Sequence, residues 1–238
     1  DKMMLWGPRV VASGSLLLAH GGHGYNGVGS IQCSGVAQFR QAARNQIREG
    51  ADFIKICLSG GLGTPGEGFT DKQMTDDEVS AVVEVAHMAG KRVAAHVGGD
   101  RPIRDAVRLG VDCIEHGYVV NRETAEIMAQ AGTWLVPTLT VTHAFGYLEA
   151  HGSPAYQVSK AVEAARSHQA GIRRAIEAGV KIAVGTDLLP SDPLDGTTAT
   201  VREVELLVET GMTALQAIAA ATSSSADLCQ VGGLTGCI

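Results

Sequence analysis

The sequence predicts an α/β fold with a parallel sheet, and two observations support this prediction. Short runs rich in Val and Ile alternate with longer segments in which apolar residues recur at helical spacing. The dipeptides Ala-Gly or Leu-Gly close several helical segments just before the next strand, which is a typical helix end signal. Strands that alternate with helices in this way favour a parallel sheet with helical crossovers.

Six strand and helix units follow one another along the chain. The predicted strands cover residues 9–13, 52–58, 91–97, 111–116, 133–139 and 180–187. The predicted helices cover residues 35–49, 75–89, 101–109, 121–131, 156–178, 199–210 and 213–222, with loops at 59–68 and 138–154. Thr75 and Glu78 show the capping-box pattern at one helix start. Six strands suit a doubly wound sheet, whereas a closed barrel needs eight, so periodicity alone leaves both open.

Composition narrows the class of protein. The 238 residues fit one large domain, and a hydrophobic share of 45% is enough for a full core. A net charge of −6 without a basic stripe argues against a nucleic-acid partner, and the apolar runs are too short for a membrane span. The five cysteines include no CxxC motif, which predicts free thiols and a reducing compartment such as the cytoplasm. Since the sequence begins at Asp1, a removed signal peptide or a missing N-terminal region stays open.

Four polar residues lie at or near the ends of predicted strands. Lys55 interrupts the apolar run FIKI, His96 lies in AAHV, His116 ends CIEH and Asp187 ends AVGTD. Each has an ordinary alternative: a histidine hydrogen-bonded in the core, a turn aspartate, or a lysine on an edge strand. A lysine inside a central apolar strand is costly, however, and four such residues on four strands together favour a metal site at one rim of the sheet.

Other polar residues are weaker candidates. Three of them follow predicted strands or lie in a neighbouring loop, and we predict that they contact substrate: His23, Tyr118 and His143. Three further histidines fall on predicted helices or loops, where we expect them to be solvated: His87, His151 and His168.

Several segments resemble the amidohydrolase superfamily, in the branch of imidazolonepropionase-like hydrolases and Xaa-Pro dipeptidases (prolidases). They are GPRVVASG, GGHG, ADFIKICLSGG, the stretch from AGKRVAAHV to GVDCIEHG, AGTWLVPTL, AGVKIAVGTDLL and GMTALQAIAAAT. The resemblance covers nearly the whole chain. It implies a (β/α)₈ TIM-type barrel, here incomplete, in which residues 1–238 hold about strands three to eight while strands one and two are missing. The final VGGLTGCI is similar to the start of the segment that returns to a small flanking β domain, and we expect that domain to be absent from these residues.

The resemblance also implies a chemistry. The superfamily carries one or two divalent metals, usually Zn²⁺, and Lys55 resembles the lysine that CO₂ carboxylates into a bridging ligand. His96 and His116 resemble ligands of the second metal. Asp187 resembles a ligand of the first metal that also accepts a proton from the attacking water, so it is the expected catalytic residue. The expected partner is a small molecule, namely a dipeptide, an N-acyl amino acid or a related amide, and a homo-oligomer stays open.

The chain departs from the family pattern at two places. The His-x-His motif of strand one is absent, and His20-Gly-Gly-His23 follows a segment similar to strand three. After Asp187, where prolidase-like members often carry a histidine, the sequence offers Asp192 and Asp195. We therefore predict that the 238-residue chain alone is poorly active.

Three functions fit the sequence to different degrees. Lys55 favours a hydrolase of amide and peptide bonds over a deaminase or cyclic-amide hydrolase on a similar barrel. The missing His-x-His motif favours a third alternative, a non-catalytic truncated fragment. A doubly wound binding domain is the weakest option, because no GxGxxG motif follows a strand.

Overall fold

A computed structural model describes residues 9–27, 29–188 and 192–237. Its main feature is a sheet of seven parallel strands in the order β2-β1-β3-β4-β5-β6-β7, with a separate two-stranded antiparallel sheet, β8-β9. The strands are β1 Leu16–Ala19, β2 Ser30–Cys33, β3 Ile54–Cys57, β4 Val93–Val97, β5 Cys113–His116, β6 Trp134–Val136, β7 Lys181–Ile182, β8 Pro193–Leu194 and β9 Thr197–Thr198.

Helices connect the parallel strands from β2 onwards. They are α1 Gly35–Arg48, α2 Asp76–Met88, α3 Asp100–Arg108, α4 Arg122–Ala131, α5 Leu139–His143, α6 Phe145–Ala150, α7 Ala155–Glu177, α8 Ala199–Thr210, α9 Ala214–Ala219 and α10 Ser225–Leu228, with a π-helix at Ala220–Ser224 before α10. Among the described residues, no helix has the length and apolar character needed to cross a membrane.

The core lies between the sheet and the helices that cover it. Small and branched apolar side chains fill it, as the low aromatic content predicts, and examples with no exposed surface are Ile54, Ile56, Val93 and Ile114. Of the buried free cysteines, Cys33 lies there, whereas Cys57 and Cys113 lie on the opposite face of the sheet. A thiol in such a place packs as a small apolar group.

At the start of helix α2, Thr75 and Glu78 form reciprocal hydrogen bonds. The side chain of Thr75 accepts a hydrogen bond from the backbone N–H of Glu78, and the Glu78 carboxylate accepts one from the backbone N–H of Thr75. These two backbone N–H groups, which have no hydrogen-bond partner within the helix, thereby gain one. The capping box predicted from the sequence is confirmed.

The predicted and observed elements differ at the N-terminal end of the sheet and around β7. The predicted strand at residues 9–13 is wrong, because this segment is irregular and Val10 is 72% exposed. The buried strand is instead β1, a few residues later, and β2 raises the number of parallel strands from six to seven. Residues 138–154 form helices α5 and α6, and only Lys181–Ile182 of the predicted strand 180–187 pair with β6.

Parts of four sequence segments used above lie outside the described residues. They are residues 7–8 of GPRVVASG, residue 189 of AGVKIAVGTDLL, residues 189–191 between Asp187 and Asp192, and residue 238 of VGGLTGCI.

Candidate active site

Lys55 and His96 occupy regular positions in neighbouring strands. The register pairs Cys57 of β3 with His96 of β4, and His96 with Glu115 of β5. Because side chains two residues apart share a face of a sheet, Lys55, His96 and Glu115 lie on the same face. Lys55 makes an ion pair with the Glu115 carboxylate there. The sequence analysis did not identify Glu115.

His116 reaches this face in a different way. The register places it opposite Val97, which points to the other face from His96. The backbone of His116, however, has a φ of 70°, in the left-handed region that few residues other than glycine adopt. Its ring nevertheless meets the His96 ring, with centroids 4.5 Å apart and planes at 67°. The left-handed strand end thus brings the second predicted histidine beside the first.

A row of rings extends from these two histidines. The His23 ring stacks on His96 at a centroid distance of 4.6 Å, and the Tyr118 ring stacks on His116 at 5.2 Å. Tyr118 also meets the edge of Phe69, with centroids 5.6 Å apart. Two of the three predicted substrate contacts, His23 and Tyr118, therefore flank the histidine pair.

Burial keeps both paired histidines neutral. Desolvation lowers the pKa of His96 and of His116 well below 6.5, and the charge of Lys55 adds to the effect. The Gly60 carbonyl lies 3.0 Å from Nε2 of His96, so this nitrogen carries the proton and Nδ1 keeps its lone pair. Nδ1 of His116 lies 2.7 Å from the Thr138 hydroxyl. Neutral imidazoles in this state are suited to binding a metal ion.

Lys55 and Asp187 influence each other electrostatically. Desolvation lowers the pKa of Lys55, which the negative charge of Asp187 partly counters. Desolvation raises the pKa of Asp187, while Lys55 and His23 act in the opposite direction. Solvent reaches Asp187, and this screening weakens these effects. Asp187 also has a left-handed backbone, with a φ of 53°.

The loop after β3 holds His23 through a second carboxylate. Nδ1 of His23 lies 2.5 Å from Oε1 of Glu67, which also accepts a hydrogen bond from the backbone N–H of Gly61 at 2.9 Å. Gln73 donates to the other Glu67 oxygen at 2.6 Å and accepts from the backbone N–H of His23 at 2.8 Å. Sequence reasoning missed Glu67, because it lies 44 residues from His23 in an irregular loop.

Glu203 is a third carboxylate that the sequence analysis missed. It is fully buried in α8 and accepts hydrogen bonds of 2.8 Å from the backbone N–H groups of Leu139 and Thr140. The Thr140 hydroxyl lies 2.9 Å from Glu203 and 2.8 Å from the carbonyl of Thr186, the residue before Asp187. Desolvation raises the pKa of Glu203 from 4.5 to about 7, although its hydrogen bonds act to lower it. Glu203 therefore joins the loops that follow β6 and β7.

The remaining histidines divide into buried and peripheral ones. The expectation of a solvated His168 is wrong, because its side chain is fully buried between α5 and the end of β5. His87 and His151 lie at the surface, as expected. Nδ1 of His143 lies 3.0 Å from the Leu139 carbonyl, and the nearby charges that act on it come from Arg202 and Glu209 of α8.

Asp192 and Asp195, which follow Asp187 in the sequence, contact residues other than His96 and His116. Asp192 accepts a hydrogen bond from the Tyr147 hydroxyl, and Asp195 makes an ion pair with Arg202 at 3.4 Å. Both carboxylates are therefore engaged by groups outside the histidine pair.

The side chains at this site provide some, but not all, of the ligands that a divalent metal ion needs. His96 and His116 supply two neutral imidazoles on adjacent strands, a ligand type that zinc prefers. Within the described ranges, no three side chains of His, Cys, Asp or Glu converge closely enough to form a ligand group on their own. Lys55 adds oxygen ligands only when carboxylated, because the free ammonium group has no lone pair, and here it is paired with the Glu115 carboxylate.

Comparison with known proteins identifies relatives of similar sequence. An ochratoxinase from Aspergillus niger is 33% identical over 92% of this chain and 49% of the relative. The crystal structure of the A. niger ochratoxinase superimposes with a TM-score of 0.82, covering 97% of this chain and 57% of that one. The chain thus spans about half the length of this curated relative.

Two further solved structures are similar over almost the whole chain. A prolidase complexed with N-methylphosphonate-L-proline is 31% identical with a TM-score of 0.89, and a Xaa-Pro dipeptidase with bound methionine is 31% identical with a TM-score of 0.84. In each case the match covers 98% of this chain and 60% of the other. The open parallel sheet is therefore part of a TIM-type barrel, as the family resemblance of the sequence implies. Since residues 1–238 also match the Amidohydrolase family throughout, the chain belongs to that family.

Proposed function

We propose that the protein is a divalent-metal-dependent hydrolase of amide and peptide C–N bonds in dipeptides or N-acyl amino acids. The observation that carries this proposal is the pair of neutral imidazoles, His96 and His116, held beside Lys55 at the carboxyl ends of parallel strands. That edge is where enzymes with this type of barrel place their active sites. The similarity to an ochratoxinase, a prolidase and a Xaa-Pro dipeptidase supports hydrolysis of a C–N bond.

Four side chains would hold the metal, which we propose to be Zn²⁺, as one or two ions. They are His96, His116, Asp187 and Lys55 in its carboxylated form. Burial lowers the pKa of Lys55 and so increases the fraction of neutral amine, the form that combines with CO₂. Once bound, the metal supplies Lewis-acid polarisation of the carbonyl and lowers the pKa of a water molecule.

Asp187 is the proposed proton carrier. Asp187 is exposed, so a water molecule has access to its carboxylate, and a carboxylate in this place can accept a proton from that water. We propose that Asp187 takes a proton from the attacking water and delivers it to the nitrogen of the leaving amine.

His23, Tyr118 and His143 are the proposed substrate contacts. His23 has its ring orientation fixed by Glu67, so its second nitrogen is available to a substrate. Tyr118 forms an aromatic wall with Phe69 beside the histidine pair, which suits the apolar part of an N-acyl or prolyl substrate. His143 is the last residue of α5, and its contact with substrate stays a prediction.

The test is hydrolysis of a substrate panel by the zinc-loaded chain. Amine release would be measured with Xaa-Pro dipeptides, N-acyl amino acids, cyclic amides and an aminopurine, before and after chelation. We expect weak activity for the 238 residues alone and higher activity when a segment bearing His-x-His is joined in front. In both forms Asp187→Asn should lower kcat by at least about a hundredfold.

The panel also separates the alternatives. Release of ammonia from the aminopurine would identify a deaminase, and ring opening of cyclic amides would identify a cyclic-amide hydrolase. Robust metal-dependent activity of the 238 residues alone would contradict the prediction of an impaired chain. Chelator-insensitive or absent C–N hydrolysis in both forms would reject the proposed function and leave the non-catalytic alternative.

A further inference from the structure

His168 is a buried histidine that the proposed chemistry does not use. It lies in the middle of α7, and its Nε2 is 3.0 Å from the carbonyl oxygen of His116. A carbonyl only accepts hydrogen bonds, so Nε2 of His168 carries a proton and donates it. On the other side of the ring, Nδ1 lies 2.7 Å from the Thr142 hydroxyl. Burial lowers the pKa of His168 from 6.5 to about 3, which keeps it neutral with Nδ1 as the acceptor.

The residue that His168 contacts has a backbone conformation that needs support. His116 combines a φ of 70° with a bulky side chain, a strained combination that persists where surrounding contacts impose it. The same conformation redirects the imidazole, since the strand register would otherwise place it on the face of Val97. The support for this backbone therefore decides whether the His116 ring meets the His96 ring.

Four contacts hold the left-handed strand end. The backbone N–H of Gly117 lies 3.1 Å from the carbonyl oxygens of both Val97 and Glu115. The Thr138 hydroxyl holds the His116 ring through Nδ1 at 2.7 Å. The carbonyl of His116 itself is held by His168, a donor that comes from a different element 52 residues away.

We propose that His168 is a positioning residue for His116. The hydrogen bond from its Nε2–H to the His116 carbonyl stabilises the left-handed conformation that turns the His116 ring towards His96 and Lys55. The role of the histidine pair as metal ligands rests on the proposed function, whereas the orientation of the ring is a separate property of the fold.

Helix α7 makes similar contacts along its length. Tyr156 and Lys160 donate to carbonyls of the loop after β3, namely those of Gly63, Gly61 and Thr64. Ser167, the neighbour of His168, donates to the Tyr118 carbonyl at 3.0 Å. Ser167 therefore provides a matched control, because it joins the same helix turn to the same loop without contacting His116.

The experiment compares three variants with the wild-type chain. His168→Phe fills the buried space but donates no hydrogen bond, His168→Gln retains a side-chain N–H donor, and Ser167→Ala removes the control contact. The first readout is nuclear magnetic resonance of the metal-free chain labelled with ¹⁵N-histidine, in which a nuclear Overhauser effect reports the contact between the His96 and His116 rings. The second readout is the zinc dissociation constant, measured by competition with a chelating dye.

We expect His168→Phe to abolish the ring contact and to weaken zinc binding by about 10- to 100-fold, as removal of a ligand-supporting hydrogen bond typically does. His168→Gln should restore the contact at least in part, and Ser167→Ala should leave both readouts unchanged. His168→Leu replaces the Phe variant if that variant does not fold. Retention of the ring contact in the apolar variants, or its equal loss in Ser167→Ala, would overturn the proposal. A wild-type chain that keeps the contact but binds no zinc would reject the metal site and leave the positioning role intact.

Discussion

The two halves of the candidate site are built differently. On β3 and β4, Lys55 and His96 lie inside regular strands, where the pairing register alone puts them on one face. At the ends of β5, β6 and β7, His116, Thr138 and Asp187 have left-handed backbones with φ values of 70°, 53° and 53°. The first half follows from strand alternation, whereas the second half depends on contacts made by other elements.

This difference shows where the site is vulnerable. Nothing beyond the sheet itself is needed to place Lys55 and His96 on the same side. The loops after β5, β6 and β7 are instead tied together by buried polar side chains on helices α7 and α8, chiefly His168 and Glu203. Changes at these helices should therefore disturb one half of the site and spare the other.

The largest effect is expected for Glu203→Ala. This change leaves the backbone N–H groups of Leu139 and Thr140 without their buried acceptor, and each such loss costs about 1–3 kcal/mol. We expect a loss of about 3 kcal/mol in the free energy of unfolding, measured by urea denaturation. Exposed Glu205 on the same helix provides the control, and Glu205→Ala should cost less than about 0.5 kcal/mol. Equal losses for the two variants would show that Glu203 does not join the loops.

The same residue predicts a pH dependence. Burial raises the pKa of Glu203 from 4.5 to about 7, so the protonated form favours the folded state. Its stabilising contribution is complete below the unfolded pKa and is lost as the pH rises through about 7. We expect the stability advantage of wild type over Glu203→Gln to be larger at pH 5 than at pH 8, by on the order of 2–3 kcal/mol. A pH-independent difference between the two would contradict the raised pKa.

A smaller effect is expected at Gly61, in the loop after β3 beside the His96 ring. A Cβ at this position would lie 2.5 Å from the His23 ring and 2.7 Å from the His96 ring, so one ring must move. We expect Gly61→Ala to lower the free energy of unfolding by about 1–2 kcal/mol and to remove the His23–His96 stacking, which nuclear Overhauser effects between the two rings would measure. Gly63→Ala is the control, since its nearest contact would be 3.8 Å. Unchanged stacking in Gly61→Ala would show that the loop adapts.

The smallest effect is expected away from the site, at the capping box of α2. Thr75→Ala removes the acceptor for the Glu78 backbone N–H and should cost about 1 kcal/mol in thermal or urea unfolding. Thr75→Ser keeps the hydroxyl and should be close to wild type. Neither change should alter zinc affinity. A shift in affinity would show that a loss of stability far from the site also changes the geometry of the site.

The sequence predicted the features that local patterns determine. Helix α1, the capping box of α2 and strands β3 to β6 lie close to their predicted places, and Lys55 and His96 share a face as the strand pattern indicates. Prediction from the sequence failed for residues whose contact partners lie far away along the chain. Glu203 lies 64 residues from Leu139, and no local pattern pairs them. His168 lies in a predicted helix among polar and apolar residues, which led us to expect a solvated side chain. In the structure, α5 covers it.

The assignment of strand 9–13 failed for a related reason. Val10 and Val11 have high strand propensity, but the apolar run Leu16–Leu18 is the one that the sheet buries. Propensity is a weaker determinant than burial against neighbouring strands.

Zinc content per chain tests the central claim most directly. The chain would be purified with zinc and bicarbonate and analysed for metal, beside Lys55→Ala and the exposed control Lys181→Ala. A site formed by Lys55, His96, His116 and Asp187 predicts about one or more zinc ions per chain in wild type and in Lys181→Ala, and loss of zinc in Lys55→Ala. Zinc that stays bound in Lys55→Ala, or zinc absent from the wild-type chain, would contradict the account.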